Sequence, residues 1–216
     1  MKKFSVLFIL FIMPLVFYVF LSKGIYHYSN LPILTTEIVP VTQVDSQKTG
    51  VTFHEKLTIL CFLGADVQKA EATLFNLNET IYKRYYQKPF FQIIAIVPEQ
   101  NKEEMKQVLG KLSQFTDIKG WNFIYAKTSG ISQLFTSLDS PFTMDETQFS
   151  EYAFIIDKKG RLRGRKDDED TDGGRLYGYN MKAVSILKNK MKDDIDIIYY
   201  QWKKSAEKLK RRQRKV

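Results

Sequence analysis

Reactive side chains are scarce in this chain. It has one cysteine, Cys61, and two histidines, His27 and His54, in 216 residues. A thiol acts as nucleophile or metal ligand only as the thiolate, so its surroundings decide its use. Cys61 lies within the apolar run Ile59-Leu-Cys-Phe-Leu63, where a cysteine packs as a small hydrophobe. A reactive or ligand role is the alternative. A single cysteine makes no internal disulfide and leaves the compartment open. His54 precedes Glu55-Lys56 and reads as a surface histidine, with metal binding the alternative. His27, between Tyr26 and Tyr28, is expected in solvent or near a membrane interface. The acids of Asp168-Glu-Asp-Thr-Asp-Gly173 put Asp168, Asp170, Asp172 and Gly173 at positions 1, 3, 5 and 6 of a calcium loop, but position 12, a bidentate Glu in such loops, is Tyr179. The plainer reading is a solvated acidic loop paired with Arg161, Arg163, Arg165 and Lys166. The three glycines between Asp167 and Tyr179 also allow a mobile lid. The sequence contains no Gly-rich phosphate loop, nucleophile elbow or paired-His metal motif.

The elements around these residues follow from periodicity. Leu57–Leu63 is an uninterrupted apolar run between charge and glycine, which predicts a strand buried on both faces. Gly64 turns it into a helix whose apolar positions, Val67, Ala70, Leu74, Leu77, Ile81 and Tyr85, recur every three or four residues. Phe90–Val97, stopped by Pro98, predicts a second buried strand. Asn101 is placed as the N-cap of a helix carrying Met105, Val108, Leu109, Leu112 and Phe115. Trp121–Ala126 predicts a third strand and Ser129–Leu138 a short helix. Tyr152–Asp157 and Arg161–Gly164 predict a hairpin around Gly160. A long helix starts near Asn180. Alternating strands and helices closed by a hairpin and a helix predict an α/β sandwich on a central mixed sheet. Asn78-Glu-Thr80 matches a glycosylation sequon, but in mid-helix.

The ends are distinctive. Met1-Lys-Lys3 precedes eighteen uncharged residues, Phe4–Leu21, near the roughly 20 that span a bilayer. No Ala-x-Ala cleavage pattern follows, so an uncleaved anchor is expected, with a cleaved signal as the alternative. Lys2 and Lys3 would stay in the cytoplasm and place the domain outside it. Net charge is +9, of which residues 203–215 supply +7 through eight Lys/Arg against Glu207. The body is therefore nearly balanced, and nucleic acid is not an expected partner. The basic tail reads as a solvated helix end, a contact for anionic lipid, or a dock for an acidic protein face.

The N-terminal run, the strand-turn-helix at Leu57–Ala70, the stretch Phe154-Ile-Ile-Asp157-Lys-Lys-Gly-Arg-Leu-Arg-Gly164 and the C-terminal helix together resemble the Sco/SenC proteins. These are membrane-anchored, thioredoxin-like factors that deliver copper to cytochrome c oxidase. The resemblance implies a thioredoxin-like sandwich, preceded by a transmembrane helix. It also implies a site of two cysteines separated by three residues on the first turn, plus a histidine ahead of the hairpin. Those ligands suit copper, and the cysteine pair suits disulfide exchange. Matched by strand ends, the positions fall at Asp66, Ala70 and Phe149, and none carries the ligand.

The expected organisation is an anchor or signal over 1–24, a linker over 25–50, a thioredoxin-like domain over 51–202 and a basic tail over 203–216. The expected function is a non-catalytic interaction or assembly accessory on the extracytoplasmic side, in respiratory-complex biogenesis if the resemblance extends that far. No cofactor is expected, copper being the family's cofactor. The expected partners are the membrane, a protein in the membrane or periplasm, and anionic lipid through the tail. The alternative is a copper-binding or thiol-redox protein with an atypical site built from Cys61, His54 or the acidic loop.

Overall fold

A computed structural model describes the backbone of residues 2–22, 30–47 and 49–213, and side chains within 8–18, 30–47 and 49–205. In chain order the elements are α1 (Lys2–Ser22), β1 (Ile33–Thr35), α2 (Val41–Val44), β2 (Leu57–Leu63), α3 (Val67–Leu77), a π turn (Asn78–Tyr82) running into α4 (Lys83–Tyr85), β3 (Phe91–Pro98), α5 (Lys102–Phe115), β4 (Trp121–Ala126), α6 (Thr128–Thr136), β5 (Phe149–Ile156), β6 (Leu162–Arg163), β7 (Tyr179–Asn180), α7 (Val184–Ile186), a second π turn (Leu187–Met191) and α8 (Lys192–Gln213).

The strands form one sheet in the order β1-β6-β5-β2-β3-β4, with β7 sharing the outer edge of β5 with β6. β2, β3 and β4 run parallel, and β5 is antiparallel to β2. Both faces of β2 and β3 are covered, which explains their unbroken apolar sequences. Leu57, Ile59, Cys61 and Leu63 of β2 join the core under α3, α5 and α8, while Leu60 and Phe62 join the one under α2 and α6. The central order β6-β5-β2-β3, with one parallel crossover and one antiparallel hairpin, is the thioredoxin arrangement, so the α/β sandwich expected from sequence is present.

Several expectations need correction. The linker placed over 25–50 belongs to the domain from residue 31 onward. Leu31, Val41 and Val44 are buried, and β1 pairs with β6. Pro32 and Pro40 give this stretch the look of a linker, and its strand is only three residues long. Asn101 holds the N-cap position of α5 as expected, but its side chain makes no capping hydrogen bond. Its Nδ2 instead donates to the carbonyl of Ala65 at 3.2 Å and to Glu104 at 3.0 Å. Asn78 of the sequon is fully buried and donates to Thr116 Oγ1 at 3.0 Å, a position no glycan reaches. The N-terminal run is helical as α1, with Pro14 inside it and its described side chains, 8–18, exposed. Among the described residues, no helix is long and apolar enough to cross a membrane. The expected transmembrane span is therefore not shown. His27 lies outside the described residues, as do the side chains of the tail beyond Ser205.

Candidate functional site

The β2–α3 turn is built as a structural joint. β2 ends at Leu63, and Gly64 takes φ +61°, the left-handed region that favours glycine. A Cβ at Gly64 would lie 2.6 Å from the backbone N of Phe149, so only glycine lets β5 approach here. The turn is tied to β5 where Ala65 N–H donates to the carbonyl of Thr147 at 2.8 Å. Between Cys61 and Leu63 the β2–β5 register shifts, and Leu63 pairs with Phe149. This irregularity delivers the 145–149 segment to the N-terminus of α3.

Asp66 is the N-cap of α3. Its Oδ1 accepts from the backbone N–H groups of Gln68 at 3.1 Å and Lys69 at 3.2 Å. A carboxylate suits this position both as a hydrogen-bond acceptor and as a negative charge at the positive end of the helix dipole. Ala70, one turn on, is fully buried in the core. Phe149 is buried at the start of β5, with Lys182 Nζ 5.7 Å from its ring centroid. The three positions matched to soft ligands therefore hold a helix cap, a packing methyl and a ring.

Sequence reasoning did not find the groups beside them. Asp145 Oδ1 accepts from the N–H of Thr147 (2.9 Å), the hydroxyl of Thr147 (2.5 Å) and the N–H of Phe149 (3.1 Å), while Oδ2 accepts from Lys69 Nζ at 3.0 Å. Partial burial pushes the Asp145 pKa up, but the bonds from Thr147, Lys69 and Phe149 outweigh it and bring the carboxyl down to about 2. These groups border a cleft of about 410 Å³ that also involves Phe142, Tyr152 and Lys182. Phe142 and Tyr152 stack with centroids 3.7 Å apart, and Lys182 pairs with Glu151 at 2.9 Å. The signal available in sequence was Asp145-Glu-Thr147, which fits an Asx turn.

The other candidates lie elsewhere. Cys61 is fully buried between Ala95 and Ala153 on the flanking strands. Burial pushes its thiol up to about 12, the opposite of an activated thiolate. His54 is exposed beside Phe53 and Gly160, away from the cleft. The acidic loop does not present an open cation site. Asp168 is buried and accepts from Lys190 Nζ at 2.7 and 2.9 Å, and exposed Asp170 pairs with the same ammonium at 2.8 Å. A tethered ammonium thus sits between two of the acids proposed as calcium ligands, while Asp172 is exposed. Among the described residues, no group of three or more His, Cys, Asp or Glu side chains is arranged to hold a metal ion.

Arg165 bridges to Leu176, and Asp168 N–H donates to the carbonyl of Gly174, so the segment folds on itself. Its anchors face α8, where Arg165 Nε donates to Asp194 Oδ2 at 2.8 Å and Tyr179 OH donates to the same oxygen at 2.5 Å. Of the basic residues expected to pair with the loop, Arg165 does so. Arg161 and Arg163 instead hold Asp157, at 2.7 and 3.0 Å.

No protein-family model matches the chain. No curated protein matches it either. Among solved structures, the chain is similar to BsSco, a member of the Sco family of cytochrome c oxidase assembly proteins, at TM-score 0.49 and 11% identity over 75% of this chain and 99% of that one. It is similar to a SCO1/SenC family lipoprotein from Bacillus anthracis str. Ames, at TM-score 0.44 and 12% identity over 78% of this chain and 96% of that one. A thiol:disulfide interchange protein from Bacteroides sp. aligns at TM-score 0.43 and 16% identity, over 60% of this chain and 79% of that one.

Proposed function

We propose that this chain is a membrane-anchored, thioredoxin-fold interaction or assembly accessory that binds a protein partner without thiol or copper chemistry. The observation that carries the reading is the use of Asp66: its carboxylate is committed to two backbone N–H groups of α3, at the position matched to the family's first cysteine. Ala70 and Phe149 offer no soft donor, and the one thiol is buried with its pKa raised. What remains at the turn is a cleft edged by Lys69 and Lys182 and floored by stacked Phe142 and Tyr152, a surface suited to holding a polypeptide segment. The anchor rests on Lys2-Lys3 followed by the uncharged run Phe4–Leu21, helical as α1. The same charges orient the domain to the extracytoplasmic side. Respiratory-complex biogenesis is supplied only by the resemblance to Sco/SenC proteins.

Photo-crosslinking in native membranes tests this reading. A photoreactive residue at position 182 is expected to give a discrete protein adduct, and one at position 111 on α5 none. Cys61→Ala should leave the adduct unchanged. Equal labelling from both positions, or loss of the adduct in a folded Cys61→Ala protein, would refute it.

A further inference from the structure

The C-terminal helix leaves the domain beside the point where the N-terminal segment enters it. Arg163 of β6 joins the two, donating from Nε to the carbonyl of Leu31 at 2.9 Å and from its guanidinium to Gln201 Oε1 of α8 at 3.2 Å. The next residue of α8, Trp202, opens an aromatic pocket of about 500 Å³ formed with Tyr85, Phe90 and Tyr199 and bordered by Lys88, Lys203 and Asp196. Phe90 lies 4.8 Å from the Tyr199 ring and 5.3 Å from that of Trp202, and Lys158 Nζ sits 5.4 Å from the Trp202 centroid. The single acid, Asp196, already accepts from Tyr85 OH at 2.7 Å and pairs with Lys192 at 3.5 Å. Exposed Lys88 and Lys203 leave the rim cationic. Past the pocket, α8 runs to Gln213, about 17 Å at 1.5 Å per residue. Residues 203–215 add eight Lys/Arg against one acid.

We infer that this end of the domain is a docking face for an anionic bilayer surface. Trp202 and Phe90 meet the boundary between headgroups and acyl chains, and Lys88, Lys203 and the basic helix meet lipid phosphates. Three observations select a bilayer. Ring side chains beside lysines match the chemistry of a membrane interface, where aromatics sit at headgroup depth and lysines reach the phosphates. The charge is one-signed and concentrated where polybasic segments gain from an anionic leaflet. Finally, the eight chain steps from Ser22 to Asn30 reach at most about 29 Å, so a membrane-embedded α1 would hold this end of the domain close to the lipid. The inference rests on the anchor reading above and adds to it an orientation of the domain on the membrane.

The test uses the whole chain reconstituted into vesicles of phosphatidylcholine alone or with added phosphatidylglycerol, both carrying brominated acyl chains. The chain has two tryptophans, and Trp121 is buried, so a Trp202→Phe variant supplies the background. Quenching of Trp202 is expected in the anionic vesicles, weakened by high salt. Replacing the tail Lys/Arg with Gln should weaken this surface association by more than about tenfold. Retention after an alkaline carbonate wash reports the anchor separately. Retained protein with Trp202 unquenched, or quenched equally without anionic lipid, overturns the docking face and leaves the anchor standing. Carbonate release of protein quenched beforehand overturns the anchor and leaves the face standing. Preferential binding of a soluble acidic protein or nucleic acid, with Trp202 unquenched by anionic vesicles, also overturns the face.

Discussion

Two carboxylate clusters in this molecule do opposite things with charge. At the β2–α3 turn, Asp145 is part-exposed and receives backbone N–H groups, a hydroxyl and Lys69, and its pKa falls to about 2. In the first turn of α8, Asp194 is buried to 1% exposure against Arg165 and Tyr179, and burial raises its pKa. The first cluster shapes a loop at the edge of a cleft. The second fastens the β6–β7 connection to the C-terminal helix. Neither pairs an acid with a base across open space where a substrate atom would sit. The contrast shows how exposure decides what a carboxylate does here: hydrogen bonds set the state of Asp145, and burial sets that of Asp194.

The largest effect should come from breaking the buried cluster. Asp194→Ala takes from the buried Tyr179 hydroxyl and from Arg165 their shared partner, leaving Arg165 the 3.4 Å pair with Asp168, at a cost of about 3 kcal/mol by urea denaturation. The triple replacement Asp194→Leu, Arg165→Met and Tyr179→Phe should recover much of that loss, since removing the whole cluster removes the desolvation it imposes. Persistence of the full loss would mean that packing rather than charge dominates there. Gly64→Ala comes next. The left-handed φ and the 2.6 Å approach to Phe149 should together cost about 2–3 kcal/mol, and the resonances of Phe149 and Thr147 should shift with it. A neutral Gly64→Ala would show that the turn is slack enough to have room for other groups.

Asp145→Ala should cost only about 1 kcal/mol, since its carboxylate is about a third exposed and partly screened by solvent. The sign of its pH dependence is fixed by the lowered folded pKa. Its contribution is present above the ordinary carboxylate value and is lost as pH falls toward about 2. Asp194, with a raised folded pKa, runs the other way: its proton affinity favours the fold at low pH, and that advantage fades as pH rises through the folded value. Carboxyl carbon titration by NMR should therefore find Asp145 titrating near 2 and Asp194 above the usual aspartate range. The reverse order would invert the comparison. The smallest effect belongs to Lys69→Ala, whose exposed ion pair with Asp145 should leave the denaturation midpoint unchanged within error.

The sheet was legible wherever burial on both faces left an unbroken apolar run: β2 and β4 start and end where periodicity puts them, and β3 is displaced by one residue at each end. The elements that sequence missed are the short ones. β7 and α2 have no local signal, and β7 is held by long-range partners such as Glu151, whose carbonyl accepts from Met181 N–H. At the site, Asp66 entered only as a position matched to a cysteine, and its role as the cap of α3 emerges from the backbone N–H groups of Gln68 and Lys69. Asp145 and Lys182 were not legible, because a register shift in β5 and the β7 connection bring them to the turn from distant sequence. Asn101 was legible as the N-cap position of α5, but not the bond by which its side chain ties Ala65 instead of capping. The acidic loop looked like a cation site because its own acids were visible in sequence, whereas Lys190, which neutralises them, lies 22 residues beyond Asp168.

The proposal that the turn works without metal or thiol chemistry meets its sharpest test in Cu(I) titration of the whole detergent-solubilised chain against a colorimetric chelator. The chelator is expected to keep all the copper, and the Cys61→Ala protein to give the same curve. One equivalent withheld from the chelator by the native chain would contradict it.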